Sequence, residues 1–174
     1  MRNRLTVKDL KDLKGNKQLA LILVKKVEEA MAAEKVGIEM LGTGAAGKFT
    51  NPHKHPNFEE VIKIRQAAPN TFMHYGAPDT LYPTLDKAKE LAFKILEYDF
   101  DMFYCHRNTE IVKSLYNEGV PCLGHVGLVP GRTTWIGGYR AVGKTAEEAM
   151  SVYDKCLQFQ DAGAVAIEME CVPH

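Results

Sequence analysis

Short apolar runs alternate with longer amphipathic stretches along the whole chain. The runs are Leu19–Val24, Ile38–Leu41, Thr71–Tyr75, Met102–Cys105, Pro121–His125 and Ala164–Met169. Each is strand-sized and nearly continuous in its hydrophobicity, the pattern of a parallel strand covered on both faces. The stretches between them predict helices over Lys26–Lys35, Phe58–Ala67, Leu85–Tyr98, Thr109–Glu118 and Thr145–Asp161. In the last of these, Ala149, Val152, Tyr153, Cys156, Leu157 and Phe159 recur at close to the helical period. A further helix is predicted over Thr6–Leu13, with Thr6 as N-cap, Asp9 three places on and Gly15 as the stop.

Repeated strand–helix units define an α/β fold built on a parallel sheet. Six of them fit an open doubly wound sheet or most of a (β/α)8 barrel. A complete barrel needs about 250 residues, so at 174 roughly two units are missing. No low-complexity stretch or linker divides residues 1–174, which read as one domain; Pro52, Pro56 and the histidines between them mark a loop.

Composition narrows the functional classes. Lys and Arg number 22 against 22 Asp and Glu, a balance that argues against nucleic acid as the partner. The longest apolar run, Leu19–Val24, falls far short of the ~18 residues of a membrane span. The first residues lack the apolar stretch of a signal peptide, so the expected compartment is the cytoplasm. The 4 cysteines are scattered without a CxxC pair and are expected to be reduced and mostly buried.

In parallel α/β folds the chemistry sits at the carboxyl ends of the strands. Those ends carry Gly42-Thr43-Gly44 with Gly47 beyond, His74, His106, His125, and the pair Glu168 and Glu170. Matched histidines at several strand ends are candidates for a shared site. A half-buried carboxylate closing an apolar strand has a raised pKa suited to proton transfer, which singles out Glu170. A competing motif is Gly138–Thr145, which satisfies the phosphate-loop pattern G-x-x-x-x-G-K-[ST], with Thr133–Ile136 as the preceding strand. It arrives with a single strand left to follow, too late to supply the rest of a nucleotide site.

Three segments, Val120–Leu128, Ile136–Lys144 and Ala162–Pro173, resemble the ketopantoate hydroxymethyltransferase family in order and spacing. Weaker likeness extends through Thr6–Leu10, Gly42–Gly44 and Ala68–Asn70. The resemblance implies a (β/α)8 TIM-type barrel of the phosphoenolpyruvate/pyruvate superfamily, with about six βα units in this chain, assembled as a homo-oligomer. It also makes the Gly138 segment a substrate-site loop. The implied reaction belongs to pantothenate biosynthesis: methylenetetrahydrofolate gives one carbon to 3-methyl-2-oxobutanoate, a small 2-oxo acid, forming ketopantoate. By the same resemblance Glu170 is the base, His125 contacts substrate, Thr43 and Gly44 border it, and a divalent metal, normally magnesium, holds the oxo acid.

Several positions depart from the family pattern. Thr43 stands where the family has a metal-binding aspartate, and a second aligns near Gly76, with Asp79 close by. The lysine and glutamate of strand four read Tyr104 and His106, and the Tyr-Asp of strand one reads Leu23-Val24. Two alternatives follow. One is a catalytically silent homologue. The other is a related 2-oxo-acid lyase whose metal, of the zinc type, is held by His74, His106 and His125. The family continues through two further βα units, so the chain reads as a fragment or as an incomplete barrel with exposed sheet edges.

Overall fold

A computed structural model describes residues 4–44 and 56–174; Gly47, Pro52 and the histidines beside it lie outside them. Helix α1 (Val7–Leu13) opens on a capping box. The Thr6 side chain accepts the Asp9 N–H, and the Asp9 carboxylate accepts the Thr6 N–H in return. The chain then runs β1 (Leu21–Leu23), α2 (Val27–Lys35), β2 (Met40–Gly44), α3 (Phe58–Ala67), β3 (Phe72–Gly76) and α4 (Leu85–Glu97). It continues through β4 (Met102–Tyr104), α5 (Thr109–Asn117), β5 (Cys122–Gly127), α6 (Thr133–Ile136), α7 (Ala146–Asp161) and β6 (Ala166–Glu170). Single 3₁₀ turns precede α4 and α6. Asn57, Thr84, Asn108 and Thr145 cap α3, α4, α5 and α7, each accepting a first-turn backbone N–H.

All six strands are parallel and lie in the order β1-β2-β3-β4-β5-β6. A doubly wound sheet reverses its strand order at a switch point. Sequential order without reversal is instead the arc of a barrel, with β1 and β6 as its edges.

Adjacent residues on one strand fall into different apolar clusters. Met40, Phe72, Met102, Tyr104 and Leu123 pack together on the concave side, while Leu41, Met73, Phe103 and Cys122 join the helices on the convex side. This period of two explains why the runs of β2, β3, β4 and β5 read as continuously apolar: both their faces are covered, whereas the edge strand β1 is exposed along its length. The convex layer is supplied by Val61 and Ile64 of α3, Ala88, Ala92 and Ile95 of α4, and Ile111, Val112 and Leu115 of α5.

At the foot of the arc a charged cluster ties distant segments together. Arg4 pairs with Asp99 at 2.8 Å and with Asp101 at 3.2 Å. Arg65 on α3 donates to the Thr71 carbonyl at 2.9 Å and to that of Ala68, and lies 3.5 Å from Asp101. Asp101 accepts the Met73 N–H at 2.8 Å. Arg65 is 2% exposed, so its removal strands buried acceptors. Arg65→Met is expected to cost about 3 kcal/mol, read as a lowered urea midpoint with unchanged slope.

Two expectations are corrected. Thr133–Ile136 is a helical turn rather than a strand, ended by Gly137 in the left-handed region at φ 81°. Cysteine burial is divided: all four are free, but only Cys105 and Cys122 are buried, and Cys171 is exposed.

Candidate active site

Strand alternation carries the concave face upward from its apolar layer to a polar one. Met40, Phe72, Met102, Leu123 and Ala166 belong to the lower layer. Two residues further along β2, β3, β4, β5 and β6 come Gly42, His74, Tyr104, His125 and Glu168. Gly44, Gly76, His106, Gly127 and Glu170 complete the rim. Gly42, Thr43, Gly44, His74, Gly76, Tyr104, His125, Glu168 and Glu170 all border one cavity of about 250 Å3. That is the scale of a small organic acid rather than a drug-sized ligand.

Glycine at two rim positions is a packing requirement. A Cβ on Gly42 would stand 2.0 Å from Nε2 of His74, so only glycine admits that imidazole. A Cβ on Gly127 would meet the Glu170 carbonyl at 2.2 Å, and φ there is +83°. The close approach sets Glu170. Gly127 is its register partner, and the Leu128 N–H donates to its carbonyl at 2.9 Å.

The polar side chains form a chain across the mouth. The Tyr104 hydroxyl lies 2.5 Å from Nδ1 of His125, and His125 Nε2 lies 3.1 Å from a Glu170 carboxylate oxygen. The second contact is close but lacks hydrogen-bond alignment. Burial drives the Tyr104 phenol far above its ordinary range, and Glu168 and Glu170 add to the effect. It therefore stays protonated and acts as donor. Burial lowers His125 to about 4, with His106 adding repulsion and a Leu128 backbone contact offsetting part of it. Burial alone lowers His74 to about 4. Both imidazoles are neutral near pH 7. Glu170 is raised above the usual carboxylate value, first by desolvation and then by Glu168. A carboxylate with enhanced proton affinity facing a cavity is the equipment of a general base.

The sequence-predicted residues are gathered unequally. Glu170, His125 and His74 share the cavity. Thr43 borders it and is buried, but alternation places its side chain beside Leu41, toward the helices, and its hydroxyl has no hydrogen-bond partner. Gly44 contributes backbone. His106 stands one cavity away, 2.6 Å from Asp79. Burial pushes Asp79 up, yet its contacts with His106, Arg107 and Tyr82 outweigh that and hold it below its usual value. Tyr104 was missed as a site residue, although its place on the same strand face as His106 marks it as inward.

The three candidate histidines are not gathered as one ligand set among the described residues. Among the described residues the one group with convergent ligand atoms is His125, Glu168 and Glu170, all within 4.8 Å of one another. His74 and His106 are not part of it. Thr43 and Gly76 carry no carboxylate at the positions where the resemblance puts metal ligands.

The competing phosphate-loop motif, already set aside on its place in the chain, is also at odds with the contact chemistry. The backbone N–H groups of Gly143 and Lys144 both donate at 3.0 Å to one carboxylate oxygen of Glu148, whose other oxygen takes Arg140 at 2.7 Å. An internal carboxylate already fills the anion cradle. Its hydrogen bonds, from Arg140 first and then from these amides, hold Glu148 down at about 2.

Comparison with known proteins agrees with this layout. No helix among the described residues is long and apolar enough to cross a membrane. In solved structures, 2,3-dimethylmalate lyase, a PEP mutase/isocitrate lyase superfamily member, matches 95% of this chain and 63% of its own, with TM-score 0.62 and 13% identity. Oxaloacetate acetylhydrolase matches 97% and 63%, with TM-score 0.63 and 11% identity. These likenesses establish the fold, six βα units of a TIM barrel. The 3-methyl-2-oxobutanoate hydroxymethyltransferase of Thermus thermophilus is 34% identical over 98% of this chain and 69% of its own length. That of Kosmotoga olearia is 28% identical over 97% and 67%. The chain thus spans about two thirds of the relatives it matches. The family model for ketopantoate hydroxymethyltransferase covers residues 4–174. The chain belongs to the ketopantoate hydroxymethyltransferase family of one-carbon-transferring enzymes.

Proposed function

We propose that the mouth of this arc carries the carbon-acid half of hydroxymethyl transfer: Glu170 removes the C3 proton of 3-methyl-2-oxobutanoate. The C3 of the resulting enolate then bonds to the methylene carbon of methylenetetrahydrofolate, whose C–N bonds break to leave tetrahydrofolate while water supplies the hydroxyl oxygen, giving ketopantoate. One observation carries the reading: Glu170 borders a small cavity beside His125 and Glu168, with its proton affinity raised by desolvation. Glu170 takes the C3 proton, the bonding electrons stay on the 2-oxo acid, and the negative charge collects on the 2-oxo oxygen. His125, whose Nδ1 accepts the hydrogen bond of the Tyr104 hydroxyl, keeps its Nε2–H as the donor at hand for that oxygen, in a site where a fixed donor is worth more than water. The cytoplasmic setting and homo-oligomeric assembly of the family come with this reading.

The test is hydrogen exchange. Incubated in deuterated water, the protein is expected to exchange the C3 hydrogen of 3-methyl-2-oxobutanoate without any one-carbon donor, followed by proton NMR. No exchange above the buffer rate, with and without added magnesium, manganese, cobalt or zinc, would sink the proposal and leave a silent homologue.

A second reading is favoured by the convergence of His125, Glu168 and Glu170. In it they hold a transition-metal ion, which when bound supplies Lewis-acid stabilisation of the enolate oxygen. Glu170 is then a ligand rather than a base. Metal analysis separates the two. Stoichiometric zinc, manganese or iron that is lost in His125→Ala supports the second, and its absence from protein grown in metal-replete medium supports the first.

A further inference from the structure

Both edges of the arc border the Glu170 cavity, and they differ in charge. From the β6 edge come Glu168 and Glu170, with His125 of β5 beside them. From the β1 edge come Leu23, Val24 and Lys25, with His74 of β3 beyond Gly42. The side chains of Leu23 and His74 meet over Gly42: a Cβ there would stand 2.6 Å from the first and 2.0 Å from the second. Lys25 follows two residues after Leu23, the last residue of β1. Among the described residues bordering the cavity it is the one lysine or arginine. It also lies outside every segment that carries the family likeness.

Lys25 is fixed through its backbone and left free at its tip. Its N–H donates to Glu29 Oε2 at 2.7 Å, and that of Lys26 donates to the same oxygen at 3.2 Å, which ties this turn to the start of α2. The Lys25 side chain is exposed, and its ammonium has no partner among the described residues. On the same side of the cavity His74, 4% exposed, has an Nδ1 without a hydrogen-bond partner. A monoanionic 2-oxo acid entering here meets two carboxylates at the β6 edge, where like charges repel across a partly desolvated space. That repulsion turns its own carboxylate toward β1. The flexible four-carbon stem of a lysine lets the ammonium follow an anion at the rim.

We propose that Lys25 anchors the carboxylate of the 2-oxo acid and so sets the molecule across the cavity with C3 toward Glu170. Lys25 in that role rests on the proposed function for the identity of the ligand, and adds to it the group by which the site prefers an acid to its neutral analogue.

The test is a pair of ligands on a pair of proteins. Calorimetric titration compares 3-methyl-2-oxobutanoate with its neutral amide, 3-methyl-2-oxobutanamide, on the wild type and on Lys25→Met, both checked for folding by circular dichroism. The wild type is expected to bind the acid about five- to tenfold more tightly than the amide, between the worth of a screened surface ion pair and that of a charged hydrogen bond. Lys25→Met should weaken the acid by that factor, leave the amide unchanged and so bind the two about equally. A preference for the acid that survives in Lys25→Met, as it would if a metal held the carboxylate, overturns the proposal. So does a variant that weakens both ligands together, or a wild type that binds the acid no better than the amide or binds neither. Lys25-dependent binding of the acid without C3 exchange would remove the proposed function and leave the anchor standing. C3 exchange whose half-saturating concentration is the same in Lys25→Met would do the reverse.

Discussion

Glu170→Gln is expected to lower C3 exchange by about 10²–10⁴-fold, the contribution of a positioned general base. Glutamine keeps the length and shape of the side chain, and the strand pairing at Gly127 that fixes its backbone is untouched. What is lost is the ability to take a proton. Glu168→Gln is the informative partner variant. Glu168 helps to raise Glu170, so removing its charge lowers the proton affinity of Glu170. The rise of exchange rate with pH then moves to more acidic pH, while the plateau falls by less than about tenfold. Equal, large losses in both variants would speak for a joint ligand role instead, and metal content would fall with them.

The fold was legible because burial and periodicity coincide. Each apolar run became a strand, and each amphipathic stretch became a helix with ends close to those its caps dictate, as at Thr6, Thr84 and Thr145. The segment Thr133–Ile136 misled because β-branched and aromatic residues favour strands in general. Here the 3₁₀ turn at Pro130–Arg132 runs directly into it, and Gly137 stops it after four residues. The candidate site was legible residue by residue but not as an arrangement. Strand ends named His74, His106, His125 and Glu170, whereas which of them meet depends on the pleat. Counting by twos up from the lower layer would have found Tyr104 and set Thr43 aside. The Arg4–Asp99–Asp101–Arg65 cluster joins residues so distant in sequence that no local pattern announces it.

Acidification from pH 7 to pH 5 is expected to destabilise the protein by about 4 kcal/mol, well before its carboxylates are fully protonated. The cause is two histidines buried neutral. Unfolded, each takes up a proton near 6.5; folded, His74 and His125 do so only at about 4. Below pH 6.5 the unfolded chain binds more protons than the folded one, so stability falls with pH until both folded imidazoles titrate near pH 4. Each unit of the gap is worth about 1.4 kcal/mol, hence about 2 kcal/mol per histidine by pH 5. Urea midpoints at pH 7, 6 and 5 measure the slope. His74→Leu fills the space over Gly42 with an apolar group and should halve the loss, to about 2 kcal/mol, whatever it does to stability at pH 7. A wild-type midpoint that does not move between pH 7 and pH 5 would mean that water reaches these imidazoles. The desolvation that raises the partly exposed Glu170 would then be weaker as well.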